Sequence, residues 1–149
     1  MATAPHILII NGPNLNMLGT RQPEVYGSAT LDDIEALCQE SADELRMSID
    51  FRQSNHEGEI LEWIQKARGV YQGIIINAGA LSHTSIGLLD ALLGCGVPVI
   101  EVHISNIYRR EEFRHHSYVS QAATAVICGA GSFGYALALE ALAERFANS

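Results

Sequence analysis

Five short apolar runs rich in β-branched residues recur along the chain, and segments with helical spacing separate them. This alternation constrains the fold more than any other feature. Residues 6–11 read HILIIN, a continuous apolar run of the kind buried on both faces of a parallel sheet. Thr30 then has the character of an N-cap, with Asp32 and Asp33 in the first turn and Leu31, Ile34, Leu37, Cys38 and Leu45 along one helical stripe. Residues 48–53 read as a second strand. A helix is predicted over residues 59–68, with Ile60, Leu61, Ile64 and Ala67 inward. Residues 73–77 (GIIIN) form a third strand, and residues 85–93 a helix that ends at the Gly94/Gly96 pair. Residues 98–104 (PVIEVHI) and 124–128 give the fourth and fifth strands, and residues 135–146 a closing helix. Strands alternating with helices imply a parallel sheet covered on both faces. The chain is therefore expected to be α/β, with five strands in an open parallel sheet. In that class ligands bind outside the carboxyl ends of the strands.

A length of 149 residues fits one catalytic domain over residues 1–149, with residues 1–5 as a loose N-terminus. Hydrophobic residues make up 48%, enough for a full core. The formal net charge of −8 disfavours nucleic acid and anionic membranes as partners. No apolar run approaches the roughly 18–20 residues that span a bilayer, and the first residues lack the basic segment of a signal peptide. Cys38, Cys95 and Cys128 are odd in number and far apart, which suits reduced thiols in a cytoplasmic protein.

Polar residues gather after the strands. The first strand runs into Asn11-Gly-Pro-Asn14, the third into Asn77 and onward to His83, and the fourth carries Glu101, His103 and Ser105. Each alone is explained as a turn former, but three clusters on one sheet edge describe a binding site. Glu101 and His103 lie two apart on a strand and so point to one face. A carboxylate there fixes the imidazole tautomer and suits His103 to act as a general acid; a plain polar pair at the sheet edge is the alternative. Residues 12–29 form a connection much longer than usual, read as a lid carrying Arg21 and Tyr26, where a nearby cation favours the phenolate. Arg109, Arg110 and Arg114 cluster in YRREEFRHH, either as a local positive site for a small anion or as a solvated helix face paired with Glu111 and Glu112. Asp90 falls about 40° around the helix from Ile86, beside Leu89 and Leu93. A carboxylate there is either satisfied locally or faces another subunit.

Other signals fail on context. Residues 129–134 (GAGSFG) match a dinucleotide fingerprint, yet no further strand follows to supply the ribose-binding acid, and glycines for close helix–strand packing explain them. His56-Glu57 is followed by Ile60 where a zinc motif needs histidine, and His115-His116 has no ligand at metal spacing. The single lysine, Lys66, sits on an amphipathic helix and argues against imine chemistry. No metal and no organic cofactor is expected.

Taken together, INGPNLNMLGTRQPEVYG (residues 10–27), INAGALSHTS (residues 76–85) and EVHISNIYRREEFRHHSY (residues 101–118) resemble the type II dehydroquinases. The resemblance runs from residue 7 to about residue 146. It implies a flavodoxin-like α/β fold, with a five-stranded parallel sheet in the order 2-1-3-4-5 and helices on both faces, and a cofactor-free dehydration of 3-dehydroquinate to 3-dehydroshikimate in the shikimate pathway. By that likeness Tyr26 would take a proton alpha to the ketone, Arg21 would keep Tyr26 ionised, and Asn14 would help hold a water at the enolate oxygen. His103, oriented by Glu101, would protonate the departing hydroxyl. Asn77, His83, Ile104, Ser105 and Arg114 would bind substrate, Arg110 would lie near Tyr26, and Asp90 would reach a neighbouring subunit's site. A dodecamer, a tetramer of trimers, is implied as well. A non-catalytic flavodoxin-like module holding a nucleotide or flavin is one alternative. An oligomer that kept the fold and lost activity is the other.

Overall fold

A computed structural model describes residues 3–20 and 22–149; Arg21 lies outside the described residues. Five strands, β1 (His6–Asn11), β2 (Ser48–Gln53), β3 (Gly73–Asn77), β4 (Val99–His103) and β5 (Ala125–Cys128), form one sheet in the order β2-β1-β3-β4-β5. All pairs are parallel. The expected flavodoxin-like arrangement is therefore observed, and the strand expectations hold to within one residue at each end.

Alternation along the strands divides the core in two. Ile7, Ile9, Ile75, Ile100 and Val102 face α2 (Leu31–Glu44) and α5 (Phe133–Ala147), where Ile34, Cys38, Leu139 and Leu142 meet them. Leu8, Ile10, Ile74, Ile76 and Val99 face α3 (Glu57–Gln65) and α4 (Ile86–Cys95), against Ile60, Ile64, Leu88 and Leu92. Burying each such side chain contributes about 1.5–3 kcal/mol before chain entropy is counted. Helix starts follow local chemistry. Thr30 and Asp33 close a reciprocal capping box on α2, and the Ser85 hydroxyl accepts from Leu88 N at the start of α4.

Some boundaries differ from expectation. The second helix begins at Glu57 and ends at Gln65, with Ala67 buried just beyond it. The next helix runs through Gly94 and stops at Gly96, whose φ of 70° closes it. The connection over residues 12–29 contains a 3-10 turn (Leu15–Met17) and a short helix, α1 (Pro23–Tyr26). YRREEFRHH is not a helix face. It folds as two 3-10 turns, Ile107–Arg109 and Glu112–Arg114.

Two glycines set how closely layers approach. A Cβ on Gly12 would lie 2.3 Å from the carbonyl oxygen of Ala78, so the loops after β1 and β3 press together backbone to backbone. A Cβ on Gly134 would lie 3.3 Å from Val102, which supports packing, not phosphate binding, as the purpose of the glycines in residues 129–134.

Candidate active site

The register of the sheet brings the polar ends of three strands together. Asn11 pairs with Asn77, and Ile76 with Glu101, along the carboxyl edge. Beyond that edge opens a cleft of about 100 Å³, lined by Asn14, Tyr26, Asn77, His83, His103, Ile104, Ser105, Arg110 and Arg114 among others. Nine residues singled out in the sequence thus share one cleft. Leu15, Leu18 and Ile107 are buried apolar neighbours that add to its wall.

Glu101 and His103 point to the face opposite Ile100 and Val102, as strand periodicity requires. His103 Nε2 donates to Glu101 Oε2, and both side chains are buried. The hydroxyls of Ser117, at 2.6 Å, and of Ser120 also donate to this carboxylate. Burial alone would push the Glu101 carboxyl up. The hydrogen bonds from His103, Ser117 and Ser120 outweigh it and hold the group below its usual range. An ionised, acceptor-only carboxylate keeps the proton on Nε2, so Nδ1 is the nitrogen of His103 able to exchange a proton with a ligand.

The phenol of Tyr26 lies at the end of α1. Arg110 Nη1 donates to its hydroxyl at 2.9 Å and to Ser105 Oγ at 3.3 Å. The resemblance implied Arg110 near Tyr26, and it is found there; Arg21, which the resemblance implied would keep Tyr26 ionised, lies outside the described residues. Arg114 Nε contacts both carboxylate oxygens of Glu111 at 3.2 Å. Arg109 is exposed and does not line this cleft.

His83 donates from Nδ1 to the carbonyl of His116 at 2.8 Å, because that oxygen can only accept. Its ring stacks at 6.3 Å from that of His103. Burial lowers its pKa, and the positive charges of His103 and Arg114 act in the same direction against the bond to His116. At neutral pH the ring is therefore mainly neutral, with Nε2 as an acceptor. Asn14 adopts a left-handed backbone (φ 70°), which asparagine tolerates better than most residues, and its N–H is held by Asn55 Oδ1 at 2.9 Å. Asn77 donates from Nδ2 to the hydroxyl of Tyr135 at 3.0 Å, and that hydroxyl donates to Asn11 Oδ1 at 2.7 Å.

Asp90 is not in this cleft. It is exposed on α4 between Ile86 and Leu93, which are 56% and 60% exposed, so the apolar positions beside it do not face the core of this chain. Sequence reasoning missed Ser117, Ser120, Asn55 and Tyr135. The serines and Asn55 lie outside regular periodicity, and Tyr135 reads as an ordinary core residue of its helix. Among the described residues no three His, Cys, Asp or Glu side chains are grouped to hold a metal.

The arrangement offers a phenol beside a guanidinium, an imidazole on a buried carboxylate, and arginines for an anion, all on one small cleft. That is equipment for moving protons at two positions of a small anionic molecule. Known proteins agree in kind. The chain is 61% identical over 144 residues to a protein named 3-dehydroquinate dehydratase from Streptomyces avermitilis, covering 96% of this chain and 90% of the relative. It is 56% identical over 140 residues to 3-dehydroquinate dehydratase 2 of Pseudomonas aeruginosa, covering 94% and 95%. The crystal structure of the type II dehydroquinase from Propionibacterium acnes superposes with a TM-score of 0.91 at 45% identity, over 97% of this chain and 99% of that one. The family model described as Dehydroquinase class II matches residues 5–143, and the chain belongs to that family.

Proposed function

We propose that the chain is a 3-dehydroquinate dehydratase, a hydro-lyase that converts 3-dehydroquinate to 3-dehydroshikimate and water by anti elimination through an enolate, in the shikimate pathway. Family membership supports the overall reaction. The observation that carries the mechanism is that Tyr26 and His103 line one cleft, each with an oppositely suited partner: Arg110 at the phenol and Glu101 behind the imidazole.

In this reading the Tyr26 phenolate removes a proton from C2, alpha to the ketone, and its charge moves onto the ketone oxygen as an enolate. Arg21 keeps Tyr26 ionised and stabilises the enolate transition state, and Arg110 lies against the phenol. Asn14 helps to place a water at the enolate oxygen, where charge develops. Collapse of the enolate expels the C1 hydroxyl, which takes a proton from His103 Nδ1 and departs as water. Glu101, kept ionised by Ser117 and Ser120, orients His103 and balances its charge. Ile104 and Ser105, through the substrate carboxylate, together with Arg114, Asn77 and neutral His83, hold the substrate. The steps are proton transfers with places for charge, and no metal or organic cofactor is assigned to any of them.

The assembly belongs to the same reading. A dodecamer built as a tetramer of trimers, with Asp90 reaching a neighbouring subunit's site, is supported by the exposed apolar residues around Asp90. The whole sequence would act as one catalytic domain in the cytoplasm. No described helix is long and apolar enough to cross a membrane.

The test is direct. Purified protein is added to 3-dehydroquinate with a chelator present, and ultraviolet absorbance of the conjugated enone product is followed. A steady rise that disappears in Tyr26→Phe supports the reading. No rise from folded protein overturns it.

A further inference from the structure

We propose that Tyr135 is a positioning residue for the cleft, although it lies on α5 and does not line it: its buried hydroxyl holds the Asn77 carboxamide in one of two possible flip states. This rests on the dehydratase reading for its kinetic consequence, not for its geometry.

The direction of the chain of hydrogen bonds follows from its two ends. Asn11 Nδ2 donates to the main-chain carbonyl of Arg52 at 3.1 Å, and a carbonyl can only accept. Asn11 must therefore turn Oδ1 toward Tyr135, whose hydroxyl donates to it at 2.7 Å. With its single proton spent there, the hydroxyl can only accept from Asn77, which turns Nδ2 toward it at 3.0 Å. At the far end Asn77 Oδ1 accepts from the N–H of Gly79 at 3.2 Å, which demands the same orientation. A flipped Asn77 would set its oxygen against a hydroxyl whose proton is already committed, and its NH₂ against the Gly79 N–H. Both main-chain anchors thus agree on one state, and Tyr135 is the link between them.

The link is well insulated. Tyr135 is fully buried, as is Asn11, and Asn77 is nearly so. Burial is the main cause that pushes the Tyr135 phenol far above its ordinary value, so the hydroxyl keeps its proton across the working pH range. The geometry comes from strand periodicity. Asn11 and Asn77 are paired across β1 and β3, and both continue the face whose earlier residues, Ile7, Ile9 and Ile75, pack toward α2 and α5. After these bonds Asn77 retains one N–H and one lone pair for a ligand. Tyr135 therefore acts on substrate through Asn77, as an orienting group.

The experiment is a double-mutant cycle on the full chain, with KM and kcat for 3-dehydroquinate measured in wild type, Tyr135→Phe, Asn77→Ala and the double variant. Tyr135→Phe is expected to raise KM about tenfold, with kcat lowered less than about threefold. Loosening of the whole fold would lower the active fraction, and hence kcat, and leave KM alone. The double variant is expected to match Asn77→Ala, since Tyr135 has no other route to substrate. An unchanged KM in folded Tyr135→Phe, or effects that add in full, would overturn the proposal. Should Tyr135→Phe not fold, heteronuclear NMR of the wild-type chain decides. One Asn77 carboxamide proton protected from exchange and one exchanging fits the link, and two freely exchanging protons refute it. Should the wild-type chain leave 3-dehydroquinate unchanged, the dehydratase reading fails, and the exchange measurement still judges Tyr135.

Discussion

Arg110 meets Tyr26 in two ways at once: its Nη1 donates to the phenol oxygen at 2.9 Å, and its guanidinium carbon lies 5.1 Å from the ring centroid. The hydrogen bond sets a cationic donor on the oxygen, while the ring contact fixes where the phenol stands.

Removing only the hydroxyl separates these roles. Tyr26→Phe keeps the ring that packs beside the core residues under α2. It should lower kcat on the order of 10²–10⁴-fold, the usual weight of a general base. The thermal midpoint should stay near that of wild type. Stopped-flow or steady-state absorbance at the enone band, together with calorimetry, checks both halves. Near-normal turnover in Tyr26→Phe would remove this residue from the mechanism.

Glu101 predicts how stability responds to acid. Its folded-state pKa lies below the ordinary carboxylate value because the bonds from His103, Ser117 and Ser120 outweigh burial. Between the folded and unfolded values the unfolded chain binds more protons, so stability rises with pH there. The contribution is fully present above the ordinary carboxylate pKa and is lost as pH falls through the lower folded value. Urea midpoints from pH 7 down into the acid range should therefore fall less steeply for Glu101→Gln than for wild type. Parallel curves would show that the carboxylate is not held in this way.

Arg114 should matter for binding more than for chemistry. Arg114→Ala removes a cation from the cleft wall and should raise KM by roughly 10–100-fold, the range for a lost charged hydrogen bond. The thermal midpoint should change little, because its visible partner, Glu111, is exposed and such pairs contribute little to stability. Steady-state kinetics with a fixed enzyme concentration decides it.

Gly12→Ala tests the frame of the site. The added methyl would meet the Ala78 carbonyl at 2.3 Å, and a main-chain atom cannot turn away as a side chain would. A loss of about 1–3 kcal/mol or more is expected in urea unfolding. Activity should fall as well, because Asn14 and Asn77 flank the contact.

The sequence made the sheet and the edge that carries the cleft easy to read, since continuous β-branched runs such as HILIIN and GIIIN have few other solutions. It also revealed Tyr26, Glu101 and His103, which stand at strand ends or in an overlong loop. Partners that act from behind were harder to see. Ser117 and Ser120 lie in and beside a 3-10 turn with no periodic pattern, so nothing in their spacing announces a carboxylate 16 and 19 residues earlier. Tyr135 sits among alanines and leucines on α5 and looks like packing; only the fold shows its hydroxyl between two strand-end asparagines. Asp90 looked misplaced on an apolar stripe because the stripe itself faces outward, which helical spacing alone does not reveal.

The bond from Tyr135 to the strand-end asparagines also has an order in time. Every described residue that lines the cleft precedes α5 in the chain, the last of them being Arg114. During synthesis these cleft-lining residues and all five strands leave the ribosome before the Tyr135 hydroxyl. A nascent chain halted before residue 133 thus carries every described residue of the cleft lining and lacks the hydroxyl proposed to orient Asn77, along with the α5 side chains that close one half of the core. On the proposed link, full substrate affinity within one chain would follow the docking of α5, because only then does the Tyr135 hydroxyl reach Asn77.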